Sequence, residues 1–188
     1  MSQADIDAFV HSAGWDDTLT PEGVSKAVAR GIPVSGRHSG YGWTVLHNAV
    51  SMKHRGLVLA LLAAGANANV KDPNSQTSVL MICSDGTADI LQLLIDSGGS
   101  VNEPDDEGMT PLIILVNWNA ADRESAHLLL AQPELDLDAK YEGKTAEEWA
   151  EEEDHPELAA AIAAERCKRA RWGDIRSAWV SATVALSI

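Results

Sequence analysis

The sequence predicts an all-α fold, a solenoid in which helix–turn–helix units stack side by side and short hairpin loops project between them. Threonine recurs at an almost fixed interval, because Thr44, Thr77 and Thr110 are 33 residues apart and Thr145 follows after 35. An apolar run follows each of the first three threonines. A period near 33 residues is typical of repeat architectures, in which each unit buries its apolar face only against its neighbours.

Within one period the sequence predicts two short helices. The threonine hydroxyl can cap the start of the first helix, whose apolar residues recur at helical spacing over residues 45–50. A second apolar segment covers residues 57–62. Gly65 and Gly98 stand where each second helix is expected to stop, since glycine tolerates the left-handed conformation there. His47 lies inside the first helix, and we interpret it as a structural hydrogen-bonding residue.

These motifs resemble the ankyrin-repeat family, whose pattern runs G-x-T-P-L-H-x-A, then a leucine-rich helix, then G-A-D-V-N. The segments that carry the resemblance are GWTVLHNA, GANAN, GMTPL, GKTAEEWA and HPELAAAI, and it extends from about Gly42 to Ala164. The sequence departs from the pattern in places. Only Pro111 keeps the family's proline, only His47 keeps its histidine, and Glu147 stands where leucine is usual.

The repeat period divides the chain into a repeat domain, residues 1–165, and a basic tail, residues 166–188. Terminal units of a solenoid are expected to be atypical, because one of their faces meets water. We therefore interpret the first and last units as degenerate caps. The predicted units are 4–40 (N-terminal cap), 41–71, 72–104, 105–139 and 140–165 (C-terminal cap).

Charge is distributed unevenly along the chain. The formal net charge is −14, made up of −18 in residues 1–165 (9 Lys/Arg, 27 Asp/Glu) and +4 in residues 166–188 (5 Lys/Arg, 1 Asp). An acidic repeat domain is not expected to bind nucleic acid, whose phosphates must be neutralised. Two cysteines cannot form a disulfide framework or a metal site alone. The polar N-terminus shows no signal peptide, so we expect an intracellular, cytoplasmic protein.

Catalytic motifs are absent from the sequence. There is no glycine-rich phosphate loop, no His-Glu-x-x-His, no Gly-x-Ser-x-Gly and no Cys-x-x-Cys, and the six histidines are scattered. The adjacent carboxylates fall in hairpin or cap positions, where a solvated acidic surface is the simpler interpretation. We expect a non-enzymatic protein that uses no cofactor and no metal ion.

The resemblance implies protein binding on a concave surface formed by the hairpins and the exposed side of the first helices. The apolar residues at such positions are flanked by acidic ones, which predicts a basic and hydrophobic partner segment. For Trp43 and Trp118, local packing against a neighbouring hairpin or turn is an equally good interpretation. The predicted partner-binding residues are Tyr41, Trp43, Met52, Asn74, Asp85, Glu107, Met109, Trp118 and Tyr141.

The tail combines basic residues with an apolar face at helical spacing. Three interpretations stay open: a helix that covers the last repeat, a segment that folds back onto the acidic groove, and an amphipathic helix that binds a membrane surface or a partner. The last of these makes a membrane-peripheral scaffold the alternative function. The stretch VSATVAL is also compatible with a strand. The predicted tail site consists of Arg169, Arg171, Trp172, Arg176 and Trp179.

The hairpin asparagines offer one further alternative. Asn69 and Asn102 occupy the place at which members of the family are hydroxylated, so the resemblance also implies a substrate role. Loop geometry alone accounts for asparagine at these positions, and we favour that interpretation.

Overall fold

A computed structural model describes residues 2–13 and 19–185, with side chains as far as Trp172. Nearly all the secondary-structure elements of the described chain are helices, and they follow one another in pairs. Two strands of two residues each form an antiparallel hairpin before the last pair. The elements are α1 (Gln3–Ser12), α2 (Pro21–Ala29), α3 (Val45–Ser51), α4 (Arg55–Ala63), α5 (Ser78–Asp85), α6 (Ala88–Asp96), α7 (Pro111–Asn119), α8 (Arg123–Leu130), β1 (Lys140–Tyr141), β2 (Lys144–Thr145), α9 (Ala146–Glu152) and α10 (Pro156–Ala185).

The helices form two layers. The first helices of the units pack in chain order, α1 on α3, α3 on α5, α5 on α7 and α7 on α9. The second helices do the same from α2 to α10. Each unit therefore contacts the unit before it and the unit after it, and the predicted all-α solenoid is confirmed.

Three of the four periodic threonines cap a first helix as predicted. The hydroxyl oxygens of Thr44, Thr77 and Thr145 accept the N–H three residues on, at 3.3, 3.3 and 3.4 Å. Thr110 makes no such bond, although it stands at the N-cap of α7. Pro111 begins that helix with its φ already suited to the first turn, and the proline has no N–H to be satisfied.

The glycines that end the second helices also behave as predicted. Gly65 has φ +88° and Gly98 has φ +84°, the left-handed region that only glycine enters without strain. After α4 the N–H of Ala66 bonds back to the carbonyl of Leu61 at 3.0 Å, which closes the helix and redirects the chain into the next hairpin.

The core lies between the two layers, and α7 contributes a long run of residues to it. Six consecutive residues of that helix, 111–116, are buried. Cys83 of α5 is fully buried beside this helix layer. Burial raises the pKa of the Cys83 thiol far above its ordinary value, and the negative charge of Asp122 adds to the effect. The thiol is therefore protonated and packs as a small apolar group, as expected for a buried cysteine.

The hairpin asparagines join neighbouring units. The side-chain amide of Asn69 donates to the carbonyl of Gly98 at 2.8 Å and accepts the N–H of Ser100 at 2.7 Å, both in the loop that follows α6. Asn102 repeats the arrangement one period later, donating to the carbonyl of Glu134 at 2.7 Å and accepting from the N–H of Asp136 at 2.8 Å. This bridging gives both asparagines a structural role in the stack.

The first unit is tied to the next hairpin through Asp7 of α1. Its carboxylate accepts the backbone N–H of Ser39 at 2.8 Å, the Ser39 hydroxyl and the amide of Gln3. The bond from the Ser39 side chain, and after it those from Gln3 and the Ser39 backbone, lower the pKa of Asp7 from 3.8 to about 2. These bonds favour the ionised carboxylate.

Asp7 therefore makes the stability of the first unit depend on pH. Because the pKa is depressed in the folded state, the contribution is complete above pH 4 and is lost as the pH falls from about 4 to about 2. We expect Asp7→Asn to lower the free energy of unfolding at pH 6, and we expect this difference to shrink as the pH falls to 2 and below. Chemical denaturation of both proteins across this range measures the gap. Ser39→Ala removes the hydroxyl that donates to Asp7, so it should also lower the free energy of unfolding more at pH 6 than at pH 2. A difference between wild type and variant that stays constant with pH would contradict the assignment of this pH dependence to Asp7.

Helix α10 differs from the predicted tail. It runs from Pro156 to Ala185 without a break at the predicted boundary between residues 165 and 166, so the tail continues the second helix of the last unit. Residues 180–185 of the stretch VSATVAL, which the sequence also allowed as a strand, are helical, and Leu186 lies outside the described residues. Gly173 does not interrupt it.

Candidate functional site

The exposed residues of the central first helices lie at the carboxyl end of each helix. In α3, all of whose residues are described, only Ser51 is exposed, and in α7 only Trp118 is. In α5 the exposed residues are Ser84 and Asp85. Four equivalent positions, each eight residues after its capping threonine, form a row along the stack that we term the inner line. The inner line consists of Met52, Asp85, Trp118 and Glu153.

Apolar and acidic side chains alternate along the inner line. Met52 is 54% exposed and Trp118 is 58% exposed, which is unusual for side chains of this size. Asp85 and Glu153 are also exposed. The ammonium group of Lys53 donates to the backbone carbonyl of Asp85 at 3.2 Å and not to its side chain. Among the described residues, the Asp85 carboxylate has no hydrogen-bond or ion-pair partner. The inner line thus offers two apolar contacts with a free carboxylate between them.

The hairpin tips, which precede the amino ends of the first helices, are held by buried aspartates. Asp105 is 8% exposed, and its carboxylate accepts the N–H groups of Glu107 at 3.1 Å and Met109 at 2.9 Å. The carboxylate of Asp72 likewise accepts the N–H of Asn74 at 2.9 Å and the N–H of Gln76. Asn74 and Glu107, both predicted to contact a partner, are exposed on these rigid tips.

Trp43 packs locally, which was the alternative interpretation of this residue. Its indole N–H donates to the buried carboxylate of Asp72 at 3.1 Å, and its ring is half-buried. The ring of Tyr41 meets it edge-on, with centroids 6.4 Å apart, and Tyr41 also stacks on His38 at 3.8 Å. Trp43 therefore joins two neighbouring hairpins, and only part of its surface remains for a partner.

Met109 was expected on the binding surface, but that expectation is wrong. Its side chain is 4% exposed and belongs to the core. The residue directly precedes Thr110 at the start of α7, where the hairpin returns to the helix layer, so its side chain points inward and serves packing.

The last hairpin is built around Trp149 of α9. Its indole N–H donates to the carbonyl of Tyr141 at 3.1 Å, and the two rings stack with centroids 5.9 Å apart. The ammonium group of Lys144 lies 4.4 Å from the Trp149 ring centre and also bonds to Glu152. Tyr141, a predicted contact residue, is half-buried in this group.

Arg169 of the predicted tail site serves the fold. Its guanidinium donates to the carbonyls of Leu130 at 3.2 Å, Gln132 at 2.8 Å and Leu135 at 2.5 Å, and to the carboxylate of Glu165 at 3.0 Å. These carbonyls end α8 and begin the loop after it, where a helix leaves acceptors unpaired. Arg169 therefore fastens α10 to the preceding unit.

A second arginine acts beside it. Arg166 bonds to the carbonyl of Leu137 at 3.0 Å and pairs with Asp138 and Glu147, each at 3.1 Å. Further along α10, Arg171 is exposed and Trp172 is 61% exposed. The side chains of Arg176 and Trp179 lie outside the described residues.

His47 has the structural role that the sequence predicts. Its Nδ1 atom accepts the N–H of Thr44 at 3.1 Å and lies 2.8 Å from the threonine hydroxyl. Burial lowers the pKa of His47, so the ring is neutral in the folded protein.

Sequence reasoning missed the role of the buried aspartates and the structural role of Arg169, for different reasons. Asp72 and Asp105 both precede a capping threonine by five residues, so the repeat period itself was a usable signal. Nothing in the sequence around Arg169 distinguishes it from Arg171, because its partners are backbone carbonyls 34 to 39 residues earlier.

Among the described residues, no helix is both long enough and apolar enough to cross a lipid bilayer.

Comparison with known proteins shows what the chain is similar to. The family model for ankyrin repeats (3 copies) matches residues 46–141. The chain is 28% identical over 128 residues, or 66% of its length, to the E3 ubiquitin-protein ligase KEG of Arabidopsis thaliana, of which 8% is covered. Two relatives are from Schizosaccharomyces pombe. Ankyrin repeat-containing protein P1E11.10 is 33% identical over 84 residues (45% of this chain, 38% of that protein).

The other relative from Schizosaccharomyces pombe is the glycerophosphocholine phosphodiesterase gde1, which is 30% identical over 102 residues (52% of this chain, 9% of that protein). The chain thus spans less than two-fifths of the length of each of these three relatives.

Proposed function

Because the chain belongs to the ankyrin-repeat family, which generally mediates protein–protein interaction, we propose that it is a non-enzymatic binding module, an adaptor or an occluding inhibitor. Its partner is a basic and hydrophobic polypeptide segment that lies on the concave surface of hairpins and first helices. The activities of the ligase and the phosphodiesterase belong to those longer proteins, which share only part of their length with this chain.

The observation that carries the proposal is the exposure of Trp118. A tryptophan that is 58% exposed leaves a large apolar surface in water, and tryptophan is enriched among the residues that dominate binding energy. Asn117 and Asn119 on either side of it are half-buried, so the side chain stands out from its helix. Nothing in the core needs this side chain in that position.

Charge around Trp118 supports a basic partner. Asp85 lies one unit before it and Glu153 one unit after it, and Asp106 and Glu107 are exposed on the hairpin of its own unit. A net charge of −18 over residues 1–165 extends the negative potential beyond these groups. Such a surface attracts cationic segments from a distance and weakens as salt screens it.

Replacing Trp118 with alanine is expected to reduce capture of the partner by about tenfold, since the lost contact is an apolar anchor. Immobilised wild-type protein and variant are compared on extract from the source cells, with bound proteins quantified by mass spectrometry. Leu59→Ala is the matched control, because Leu59 is 47% exposed on α4, in the layer of second helices. Equal recovery on the wild type and Trp118→Ala, or loss on Leu59→Ala alone, would place the binding surface elsewhere.

The tail supports the alternative function, a scaffold recruited to a membrane surface. The observation in its favour is the exposure of Trp172, 61%, on a helix that continues to Ala185. Against it, Arg166 and Arg169 already bond to the preceding unit, so fewer cations face outward than the sequence suggests. Truncation after Trp172 keeps both arginines, and binding of that protein and of the full chain to anionic vesicles distinguishes the alternatives.

A further inference from the structure

The turn between α7 and α8 differs from the corresponding turns of the units before it. Asp122, the N-cap residue of α8, follows its periodic threonine by 12 residues, whereas the N-cap residues of α4 and α6 follow theirs by 10. The C-cap residues of α3 and α5 donate their N–H to a carbonyl of the last turn, but Ala120 makes no such bond with the described residues at the end of α7. Carbonyl oxygens at the end of α7 are therefore available to another partner.

Ser125 occupies a position that is apolar in neighbouring units. It is the third residue of α8, and the third residues of α4, α6 and α10 are Leu57, Ile90 and Leu158, all of them buried. Ser125 is fully buried as well, yet its hydroxyl has no hydrogen-bond partner among the described residues. Because a buried hydroxyl without a partner is costly, this position indicates that a polar ligand binds beside it.

Three further polar atoms lie buried and unpartnered around the same turn. They are Oδ2 of Asp122, whose Oδ1 accepts the N–H of Ser125 at 3.0 Å, the hydroxyl of Thr87 at the N-cap of α6, and the amide nitrogen of Asn119. That nitrogen would lie 2.5 Å from a Cβ atom on Gly86, the residue before Thr87. Since α5 packs on α7 and α6 on α8, the turns of the two units face each other here.

The carboxylate of Asp122 has no cation beside it among the described residues. Burial, and after it the negative charge of Asp122, raise the pKa of the Cys83 thiol, so this carboxylate lies near the buried side of α5. The neighbouring Arg123 pairs with Glu157 instead. A water molecule can donate to the unpartnered oxygen without balancing its charge, whereas a cation bonds to it and balances the charge. The partial negative charge at the carboxyl end of α7 favours a cation too.

We propose that the turn between α7 and α8 binds a monovalent cation, K⁺ or Na⁺, between the third and fourth units. Its ligands are oxygen atoms of Thr87, Asp122 and Ser125 and carbonyls at the end of α7. Rotation of the Asn119 amide by half a turn presents its oxygen there as well. Oxygen ligands suit hard cations, and one carboxylate balances a single positive charge.

This inference goes beyond the proposed function, because it concerns a ligand of the protein in the absence of any partner. It also differs from the sequence-based expectation that the protein uses no metal ion. The cation joins the turn after α5 to the turn after α7, and it therefore fixes the end of the helix that carries Trp118.

Thermal unfolding of the full chain in different salts tests the site. The chlorides of potassium, sodium, calcium and tetramethylammonium are compared at one ionic strength, because screening stabilises a chain with a net charge of −14 in any salt. Tetramethylammonium is too large for a site made by buried side chains. We expect the midpoint of unfolding in K⁺ or Na⁺ to lie about 3–5 °C above that in tetramethylammonium. Calcium should raise it less.

Variants assign the effect to the turn. Asp122→Asn removes the charge and keeps a good N-cap residue, so it should abolish the difference between K⁺ or Na⁺ and tetramethylammonium. Ser125→Ala removes one ligand without adding bulk and should reduce that difference. Asp85→Asn is the matched control, because it removes one exposed carboxylate in the preceding unit and should leave the difference unchanged.

Crystals grown in rubidium chloride locate the ion directly, since the anomalous scattering of Rb⁺ marks a potassium site. A peak within bonding distance of Asp122 Oδ2, together with the expected variant pattern, supports the inference. Equal midpoints in all four salts, or the lack of such a peak, overturn it and leave water as the partner of these atoms. A difference that persists in Asp122→Asn overturns the location, and a larger effect of calcium overturns the monovalent charge.

Discussion

Replacing Ile113 with alanine is expected to lower the free energy of unfolding by about 3–4 kcal/mol. Ile113 is fully buried in α7, a helix that packs against α5 on one side and α9 on the other. Removing its side chain leaves a cavity where neighbouring helices meet, and stacked units have little freedom to close it. The cost is therefore near the upper part of the range for a large-to-small change.

The architecture adds a second expectation for Ile113→Ala. In a solenoid each unit is stabilised by its nearest neighbours, so a weak interface in the middle of the stack uncouples the units on either side. We expect the single unfolding transition to broaden, with a lower dependence on denaturant concentration. Guanidinium titration followed by circular dichroism and by tryptophan fluorescence measures both effects.

Leu59→Ala is the control for this experiment as well, because the side chain removed is of the same size but 47% exposed on α4. We expect Leu59→Ala to lower the free energy of unfolding by no more than about 0.5–1 kcal/mol. If the two variants unfold alike, α7 does not hold the centre of the stack.

The repeat period predicted most of the fold because the same physical need recurs in every unit. A capping threonine, an apolar helix face and a glycine in the left-handed conformation appear at corresponding places, and each copy strengthens the interpretation of the others. Thr110 shows the limit of this reasoning. Its position is that of a cap, but Pro111 begins the helix there and the threonine side chain makes no capping bond.

The candidate surface was harder to predict than the fold. Met109 and Trp118 looked alike in the sequence, since both are apolar residues at positions where the family binds partners. The structure separates them, with Met109 4% and Trp118 58% exposed, because the hairpin returns to the core just before Thr110 whereas α7 ends in solvent. That difference depends on the direction of single side chains, which a repeat pattern does not specify.

Replacing Arg169 with alanine is expected to cost about 2–3 kcal/mol, although the residue lies in a segment that the sequence assigned to a separate tail. Three backbone carbonyls between Leu130 and Leu135 lose their charged donor, and Glu165 loses an ion-pair partner. Hydrogen bonds to a charged group are stronger than neutral ones, and acceptors left unpaired at a helix end add to the loss. Thermal unfolding should shift down by about 2–4 °C per kcal/mol for a chain of this size.

Two further changes show whether the fork of Arg169 or the length of α10 matters. Arg169→Lys keeps the charge but cannot reach three carbonyls at once, so it should recover less than half of the lost stability. Truncation after Trp172 keeps Arg166 and Arg169 and should leave stability unchanged, whereas truncation after Glu165 should cost at least as much as Arg169→Ala. If the shorter deletion is as harmful as the longer one, the extension beyond Trp172 stabilises the protein through contacts of its own, and Arg169 is not the residue that fastens the helix.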